Sequence, residues 1–356
     1  MPKRRFGPLS LLSLVFRLPK AALRLKHIHD SIGIYEAMLV GYPGDWANYL
    51  VIPLGKLLSG RRKVPLILDQ FISLHESYVH DKGMIREGSL LALCCRITDH
   101  MSSRFASLVL LDTEEHISLF RQRLDLTVTE FRRIFVGTDE DVFYPRKSEG
   151  KTSQFTVLFY GSMIPLQGVE FIIRAGALLR DEQIEFKIIG PRASTGFAQA
   201  RTLADQLKAD NIRFQDGLPY GTLPDLIAEA DICLGIFGTT EKAKSVIPNK
   251  AFEAIAMAKP LITGDSPAAR EVFTSGQNVL LCQMGSPKAL ADAIRTLMND
   301  DALRQNIAKA GYKLFTEKFT TERIGAEVLK CISEAMSKVQ KSMPVPNADM
   351  ASRPAN

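Results

Sequence analysis

Residues 246–271 read VIPNKAFEAIAMAKPLITGDSPAARE, and the interpretation of the whole chain begins from this stretch. Pro248 predicts the start of a helix, because the missing N–H of proline costs no hydrogen bond in a first turn. Alanines favour the helix that follows, and Pro260 ends it. The apolar residues 261–263 then predict a short buried strand, and Ser266 begins a second helix. Helix, strand and helix in succession are typical of an α/β protein.

Lys250 and Glu253 lie one turn apart on the predicted helix, so they share a face. A helix N-terminus with a lysine in its first turn is suited to binding phosphate. A glutamate one turn further on could hold a ribose diol with its two oxygens. The alternative is an ordinary amphipathic helix with an exposed salt bridge, and the local sequence leaves both interpretations open.

The composition indicates a globular enzyme of two domains. The chain has 356 residues, of which 46% are hydrophobic and 24% are charged. Five cysteines without C-x-x-C spacing predict reduced thiols in a cytoplasmic protein. The six histidines include no H-E-x-x-H motif, so the sequence predicts no metal site.

Basic residues are concentrated at the N-terminus. The net charge is +6, and seven basic residues precede the first acidic one, Asp30: Lys3, Arg4, Arg5, Arg17, Lys20, Arg24 and Lys26. The rest of the chain is nearly neutral, which argues against a nucleic-acid-binding surface. The apolar run at 9–18 is too short to span a bilayer. Two interpretations remain for this segment: a basic amphipathic helix on an anionic membrane, or a surface helix of the first domain.

Unbroken apolar runs predict buried parallel strands in two series. The first series has four strands, at 34–40, 64–68, 108–111 and 133–136. Residues 138–153 are polar, contain proline and glycine, and are predicted to link two domains. The second series has six strands, at 156–160, 185–189, 212–214, 232–235, 261–263 and 279–282. Six strands alternating with helices predict a complete doubly wound domain, whose ligands bind at the carboxyl ends of the strands.

The order of four motifs in the second half resembles a known family. The motifs are FYGS with PLQG at 159–168, KIIGP at 187–191, RFQDGLPY at 213–220 and IPNKAFEAIAMAKPLITGD at 247–265. They resemble the second domain of retaining GT-B glycosyltransferases of family 4, the glycosyl transferases group 1. The resemblance implies two Rossmann-like doubly wound domains facing a cleft, the first one incomplete here. The implied divisions are an acceptor-side domain at 1–145, a nucleotide-sugar domain at 151–320, a helix crossing back at 321–338 and a disordered tail at 339–356.

The resemblance also implies roles for particular residues. Glu253 matches the glutamate that holds the donor ribose, and Lys250 would lie at the diphosphate. The other implied donor-binding residues are Ile247, Pro248 and Asn249 at the diphosphate, Gly161 and Ser162 opposite them, and Arg192, Gly217 and Leu218 around the base.

The sequence departs from the family pattern at three places. Ser245 stands where the family often has a glutamate that grips the donor sugar, eight residues before Glu253. Ser162 and Gln167 stand where a basic pair often neutralises the diphosphate, a charge that Lys242, Lys244 and Lys250 could supply instead. The catalytic-side histidine of the first domain has no match. Asp69, at the end of a strand, is the best catalytic candidate, ahead of His75, His80 and Asp81.

The resemblance therefore implies a glycosyltransferase that moves a sugar from a nucleotide-diphosphate-sugar donor to a glycan or lipid-linked acceptor. It would retain the anomeric configuration and need neither a metal nor a cofactor. We expect a cytoplasmic protein, at the inner face of the membrane if the basic N-terminus binds lipid, and no nucleic-acid partner. Two alternatives stay open: a catalytically impaired nucleotide-sugar-binding or partner subunit, and a sugar-nucleotide epimerase of the same fold.

Overall fold

A computed structural model describes residues 8–41, 49, 51–81, 83–147 and 154–341 of the chain. Its strands form two parallel sheets, one of four strands and one of six. The predicted α/β class with two parallel-sheet domains is confirmed. Helices cover both sheets, which explains why their strands are continuous apolar runs.

The first sheet has its strands in chain order. It contains β1 (Met38–Val40), β2 (Leu66–Asp69), β3 (Leu108–Leu111) and β4 (Phe131–Arg133). The prediction placed the fourth strand at 133–136, which is wrong by a few residues. Residues 134–136 are apolar for another reason: Phe135 and Val136 pack against the core of the second domain. Periodicity alone does not distinguish such a packed connection from a short strand.

Helices α1 to α4 and one π-helical turn surround the first sheet. They are α1 (Pro8–Ile32), α2 (Ile52–Arg62), the π-helix (Glu76–Asp81), α3 (Leu90–Phe105) and α4 (Glu114–Leu124). Side-chain caps begin two of them, since Ser89 Oγ accepts from Ala92 N and Thr113 Oγ1 from His116 N. The sequence also predicts a helix at 45–58, and part of that range lies outside the described residues. Within the described parts of the chain, no helix combines the length and the apolar content that a bilayer span requires.

The second sheet has the order β10-β9-β8-β5-β6-β7. Its strands are β5 (Phe155–Tyr160), β6 (Ile184–Gly190), β7 (Ile212–Asp216), β8 (Ile232–Leu234), β9 (Leu261–Gly264) and β10 (Leu280–Cys282). The order reverses between β5 and β8, so the topological switch point lies between these two strands. In open α/β sheets the ligand binds at this point, outside the carboxyl ends of the strands.

The helices of the second domain alternate with these strands. They are α5 (Val169–Leu178), α6 (Thr195–Gln206), α7 (Leu223–Glu229), α8 (Glu241–Ser245), α9 (Asn249–Ala256), α10 (Pro267–Arg270), α11 (Pro287–Asn299) and α12 (Asp301–Lys318). The opening stretch therefore folds as helix α9, strand β9 and helix α10, in the predicted order. Helix α9 is almost entirely buried, because its apolar residues pack under the sheet.

The last helix, α13 (Thr321–Lys341), lies against the first domain. Its Cys331 and Ala335 pack with Ile67 of β2 and Leu108 of β3. Lys338 Nζ also lies 2.6 Å from the carboxylate of Glu130. The helix runs three residues past the end expected at 338, and most of the expected tail, residues 342–356, lies outside the described residues.

Helix α4 of the first domain is bound to the second domain at both ends. Glu271 accepts hydrogen bonds from the backbone N–H groups of Glu114 and Glu115, each at 3.0 Å. A carboxylate at a helix N-terminus is favourable because it satisfies unpaired N–H groups and complements the helix dipole. At the other end, Arg123 forms an ion pair with Glu241 of α8. The two domains are thus in direct contact along α4.

Candidate functional site

The loops after β5 and β8 meet at the switch point. Gly168, which has φ +67°, lies against the backbone of Gly238, so a side chain there would collide with the loop after β8. Gly161 has φ +147°, a conformation that favours glycine. A Cβ on Gly161 would lie 2.8 Å from Lys250 Nζ. The absence of a side chain at Gly161 therefore leaves the space that the Lys250 ammonium occupies.

Lys250 is buried at the centre of this site. Its side chain is 6% exposed, and its Nζ lies 4.0 Å from the centroid of the Phe159 ring. The ammonium donates a 2.5 Å hydrogen bond to Gln167 Oε1. Burial lowers the pKa of Lys250 to about 7, and the nearby charge of Glu253 partly opposes this shift. The interpretation of Lys250 and Glu253 as an exposed salt bridge is wrong, because both side chains are buried.

Glu253 is held from the end of strand β5. Its Oε2 accepts a hydrogen bond from Tyr160 Oη at 2.6 Å. Burial raises the pKa of Glu253, while the Tyr160 hydrogen bond and the charge of Lys250 lower it. Burial raises the pKa of Tyr160 well above its ordinary value, so the phenol keeps its proton and donates it. Both predicted donor-binding side chains of α9 therefore contact β5 and the loop that follows it.

The residues before Lys250 connect the site to the first domain. Pro248 is the N-cap of α9, Asn249 begins the helix, and Ile247 is buried in the core of the second domain. The carbonyl of Ser245 accepts a hydrogen bond from Thr113 Oγ1 of the first domain. The position where the family often has a glutamate thus makes a contact between domains in this chain.

The remaining predicted donor-binding residues lie on the loops after β5, β6 and β7. Ser162 is exposed beside Gly161. Asp216 Oδ1 accepts from the N–H groups of Arg192 at 2.9 Å and Gly217 at 2.8 Å, and so joins the loops after β6 and β7. Leu218, next in the chain, packs on the core of the second domain. The structure therefore brings the predicted residues together in two separate places. Arg192 lies beside Gly217, and Gly161 lies beside Lys250.

The first domain presents two aspartates at the ends of neighbouring strands. Asp69 ends β2 and Asp112 follows β3. Burial and the charge of Asp112 raise the pKa of Asp69, and a hydrogen bond from the Phe71 N–H opposes the shift. Phe71 has φ +35°, an uncommon conformation for a residue other than glycine and a mark of local strain. His116 Nδ1 donates to Asp112 Oδ1 at 2.5 Å.

Sequence reasoning missed the partners of the predicted residues. It quoted Phe159 and Tyr160 within the FYGS motif but gave no role to either, although they contact Lys250 and Glu253, and it did not single out Asp112. Asp112 could have been found, because it follows an apolar run in the same way as Asp69. Within the described residues, no group of three or more His, Cys, Asp or Glu side chains is placed to hold a metal ion.

Comparisons with known proteins agree with this architecture. Residues 143–314 match the family model described as glycosyl transferases group 1. A D-inositol 3-phosphate glycosyltransferase of Corynebacterium glutamicum is 26% identical over 228 residues, which are 59% of this chain and 53% of that protein. An uncharacterized glycosyltransferase of Methanocaldococcus jannaschii is 24% identical over 208 residues, 56% of this chain and 53% of that protein. The chain thus spans about half the length of these curated relatives.

Solved structures extend the similarity of fold to both domains. Sucrose-phosphate synthase from Thermosynechococcus elongatus superposes with a TM-score of 0.71 at 19% identity, covering 90% of this chain and 78% of that one. Anabaena HepE in complex with UDP-glucose gives a TM-score of 0.69 at 19% identity, covering 92% and 84%. The chain therefore has the two-domain GT-B architecture, and residues 143–314 of it are similar to the glycosyl transferases group 1 family.

Proposed function

We propose that this protein is a glycosyltransferase that transfers a sugar from a nucleotide-diphosphate-sugar donor to a glycan or lipid-linked acceptor. We also propose that the reaction retains the anomeric configuration and uses no tightly bound metal. The single observation that carries the proposal is the buried Lys250 ammonium at the switch point, against a glycine that leaves room for it.

The Lys250 site suits a diphosphate for an electrostatic reason. A buried cation without a carboxylate in contact is unfavourable, and the ammonium here contacts an amide oxygen and an aromatic ring. A bound diphosphate would supply the missing negative charge, and the N-terminus of α9 would add backbone N–H groups. During transfer the same groups would stabilise the charge on the leaving nucleotide diphosphate. Glu253, one turn further on, would accept hydrogen bonds from the ribose hydroxyls.

The similarity to HepE, whose solved complex contains UDP-glucose, makes UDP-glucose a reasonable first donor to test. A thermal-shift screen of UDP-, GDP- and ADP-sugars would identify the base, because a ligand that binds only the folded state raises the melting temperature. Release of nucleotide diphosphate on addition of an acceptor would then distinguish a transferase from a subunit that only binds the nucleotide sugar.

Replacing Lys250 tests the proposed diphosphate contact. We expect Lys250→Ala to weaken binding of the donor about 10- to 100-fold, which is the loss of one charge-assisted hydrogen bond. Lys250→Met keeps most of the side-chain volume and should show the same loss, measured by isothermal titration calorimetry. Lys288→Ala, which removes the same charge from an exposed site on α11, is the matched control. If both Lys250 variants bind the donor as tightly as the wild type, the proposed diphosphate contact is wrong.

Asp69 is the side chain that we propose to contact the acceptor. It lies at the carboxyl end of β2, next to β3, and Thr113, two residues after β3, contacts the second domain. A carboxylate in this position could accept a hydrogen bond from the attacking hydroxyl and favour its proton loss. The raised pKa of Asp69 is the shift expected for a group that exchanges a proton during the reaction.

We expect Asp69→Asn to lower kcat roughly 100-fold or more, while the donor dissociation constant stays unchanged. Asp69 must be ionised to accept the proton, so wild-type activity should fall as the pH drops through its raised pKa. The variant should lose this acidic limb of the pH–rate profile. Asp181→Asn, at an exposed surface position, is the control. Wild-type kcat in the Asp69 variant would exclude the proposed role.

We also propose that the protein binds the surface of an anionic membrane through α1. Arg17, Lys20 and Arg24 are exposed and are spaced by three and four residues, so they share one face of the helix. Exposed Leu23 and Ile28 flank this face. A basic face with apolar borders is the pattern of helices that lie in the headgroup region.

Vesicle sedimentation tests the membrane proposal. We expect the protein to pellet with vesicles of phosphatidylglycerol and phosphatidylcholine but not with phosphatidylcholine alone, and salt should weaken binding. The double variant Lys20→Glu with Arg24→Glu should remain in the supernatant. Equal pelleting of this variant and the wild type would show that the basic face of α1 is not the membrane contact.

A further inference from the structure

A cavity lies in the first domain, beside its contact with α8. Its volume is about 830 Å³. The walls are the π-helix, the first half of α3 and the second half of α4, and Glu241 of α8 closes one side. This volume falls within the range of small-molecule binding sites. None of the residues assigned above to the donor or to Asp69 lines this cavity.

Glu76 on the cavity wall has an unsatisfied carboxylate oxygen. The residue is 3% exposed, and Arg123 donates a hydrogen bond to its Oε1. Its Oε2 is buried and finds no hydrogen-bond partner among the residues that the structure describes. Leaving a buried acceptor unpaired costs more than a typical hydrogen bond contributes, so native structures rarely contain one without a reason. A bound molecule with a hydroxyl group would satisfy Glu76 Oε2.

Hydrogen bonds that connect the backbone of Glu76 to Ser73 and Asp99 fix its position. The carboxylate of the fully buried Asp99 accepts hydrogen bonds from Ser73 Oγ at 2.7 Å and from the N–H groups of Leu74 and His75 at 2.9 Å. Ser73 Oγ in turn accepts from the N–H of Glu76 at 3.0 Å. Supporting contacts of this kind hold a binding group in place before the ligand arrives.

The charges around the cavity favour a neutral ligand. The wall carries three glutamates against two arginines, namely Glu76, Glu87 and Glu241 against Arg96 and Arg123. Burial lowers the pKa of His75, with smaller contributions from nearby positive charges, so this imidazole is uncharged at neutral pH. An anion would meet a wall with no excess of positive charge.

Apolar side chains alternate with these polar groups. Leu93, Leu119 and Phe120 line the same space as the carboxylates and guanidinium groups. A sugar ring has hydroxyl groups around its edge and C–H groups on its faces, and therefore needs both kinds of contact. A metal, a phosphate or a purely apolar ligand would need only one kind.

We propose that this cavity binds a neutral sugar ring of the acceptor and that Glu76 Oε2 accepts a hydrogen bond from one of its hydroxyl groups. The assignment rests on the proposed glycosyltransferase function for the identity of the sugar as an acceptor. The binding itself can be measured without donor or turnover.

The probes are methyl glycosides of glucose, galactose, mannose and N-acetylglucosamine, detected on the full chain by saturation-transfer difference NMR. We expect at least one to bind, and Glu76→Gln to weaken that binding about tenfold because a charge-assisted hydrogen bond becomes a neutral one. Leu93→Trp should block the cavity without touching the Glu76–Arg123 pair. Ile97→Trp is the matched control, since Ile97 lies one turn further along α3, is 52% exposed like Leu93 at 50%, and does not line the cavity.

The assignment would be overturned by glycoside affinity that is equal in the wild type and Leu93→Trp, by absence of binding for all four glycosides, or by inorganic pyrophosphate displacing the bound glycoside. Binding lost in Leu93→Trp and retained in Ile97→Trp supports it, whether or not Glu76→Gln folds. If octyl glycosides bind more tightly than methyl glycosides, the acceptor is lipid-linked. If the two bind with equal affinity, the acceptor is a free glycan. If glycosides bind this cavity while no nucleotide sugar binds the protein, the proposed function fails and the sugar site stands.

Discussion

The buried ammonium of Lys250 is the constraint on which the rest of the site depends. Removing a charged ammonium group from water is costly. Here Gln167, the face of Phe159 and the charge of Glu253 compensate only part of the cost of burying it. The pKa of Lys250 is lowered because burial disfavours its charged form. Gly161 has no side chain, which leaves the adjacent space to the ammonium. Strand β5, the loop after it and helix α9 therefore pack together around the charge of Lys250.

The same unit is connected to the first domain. Ser245, five residues before Lys250, uses its carbonyl to bind Thr113, and Glu271 caps the helix that Thr113 begins. In the family pattern the position of Ser245 often carries a glutamate directed at the donor sugar. Here it contributes to the contact between the domains. The contact between the domains and the proposed donor site thus involve neighbouring residues, so closure of the domains over a bound donor would also exclude water from it.

The number and type of the strands could be predicted from the sequence, because buried parallel strands are continuous apolar runs. The shared face of Lys250 and Glu253 followed from helical spacing alone. Their partners did not, since Gln167 is 83 residues from Lys250 and Tyr160 is 93 residues from Glu253. Local periodicity carries no information on such distant pairs. The shifted fourth strand has a related cause, because residues 135 and 136 are apolar to pack against the other domain.

The most direct test of the account is the proton balance of donor binding. With a pKa of about 7 in the free protein, Lys250 is largely neutral at pH 8, and a bound diphosphate must raise that pKa. A nucleotide sugar has no phosphate group that titrates near this pH. Calorimetry in buffers of different ionisation enthalpy should therefore show uptake of nearly one proton by the wild type and none by Lys250→Met. Tight binding without proton uptake, or equal uptake in the variant, would contradict a buried Lys250 at the diphosphate.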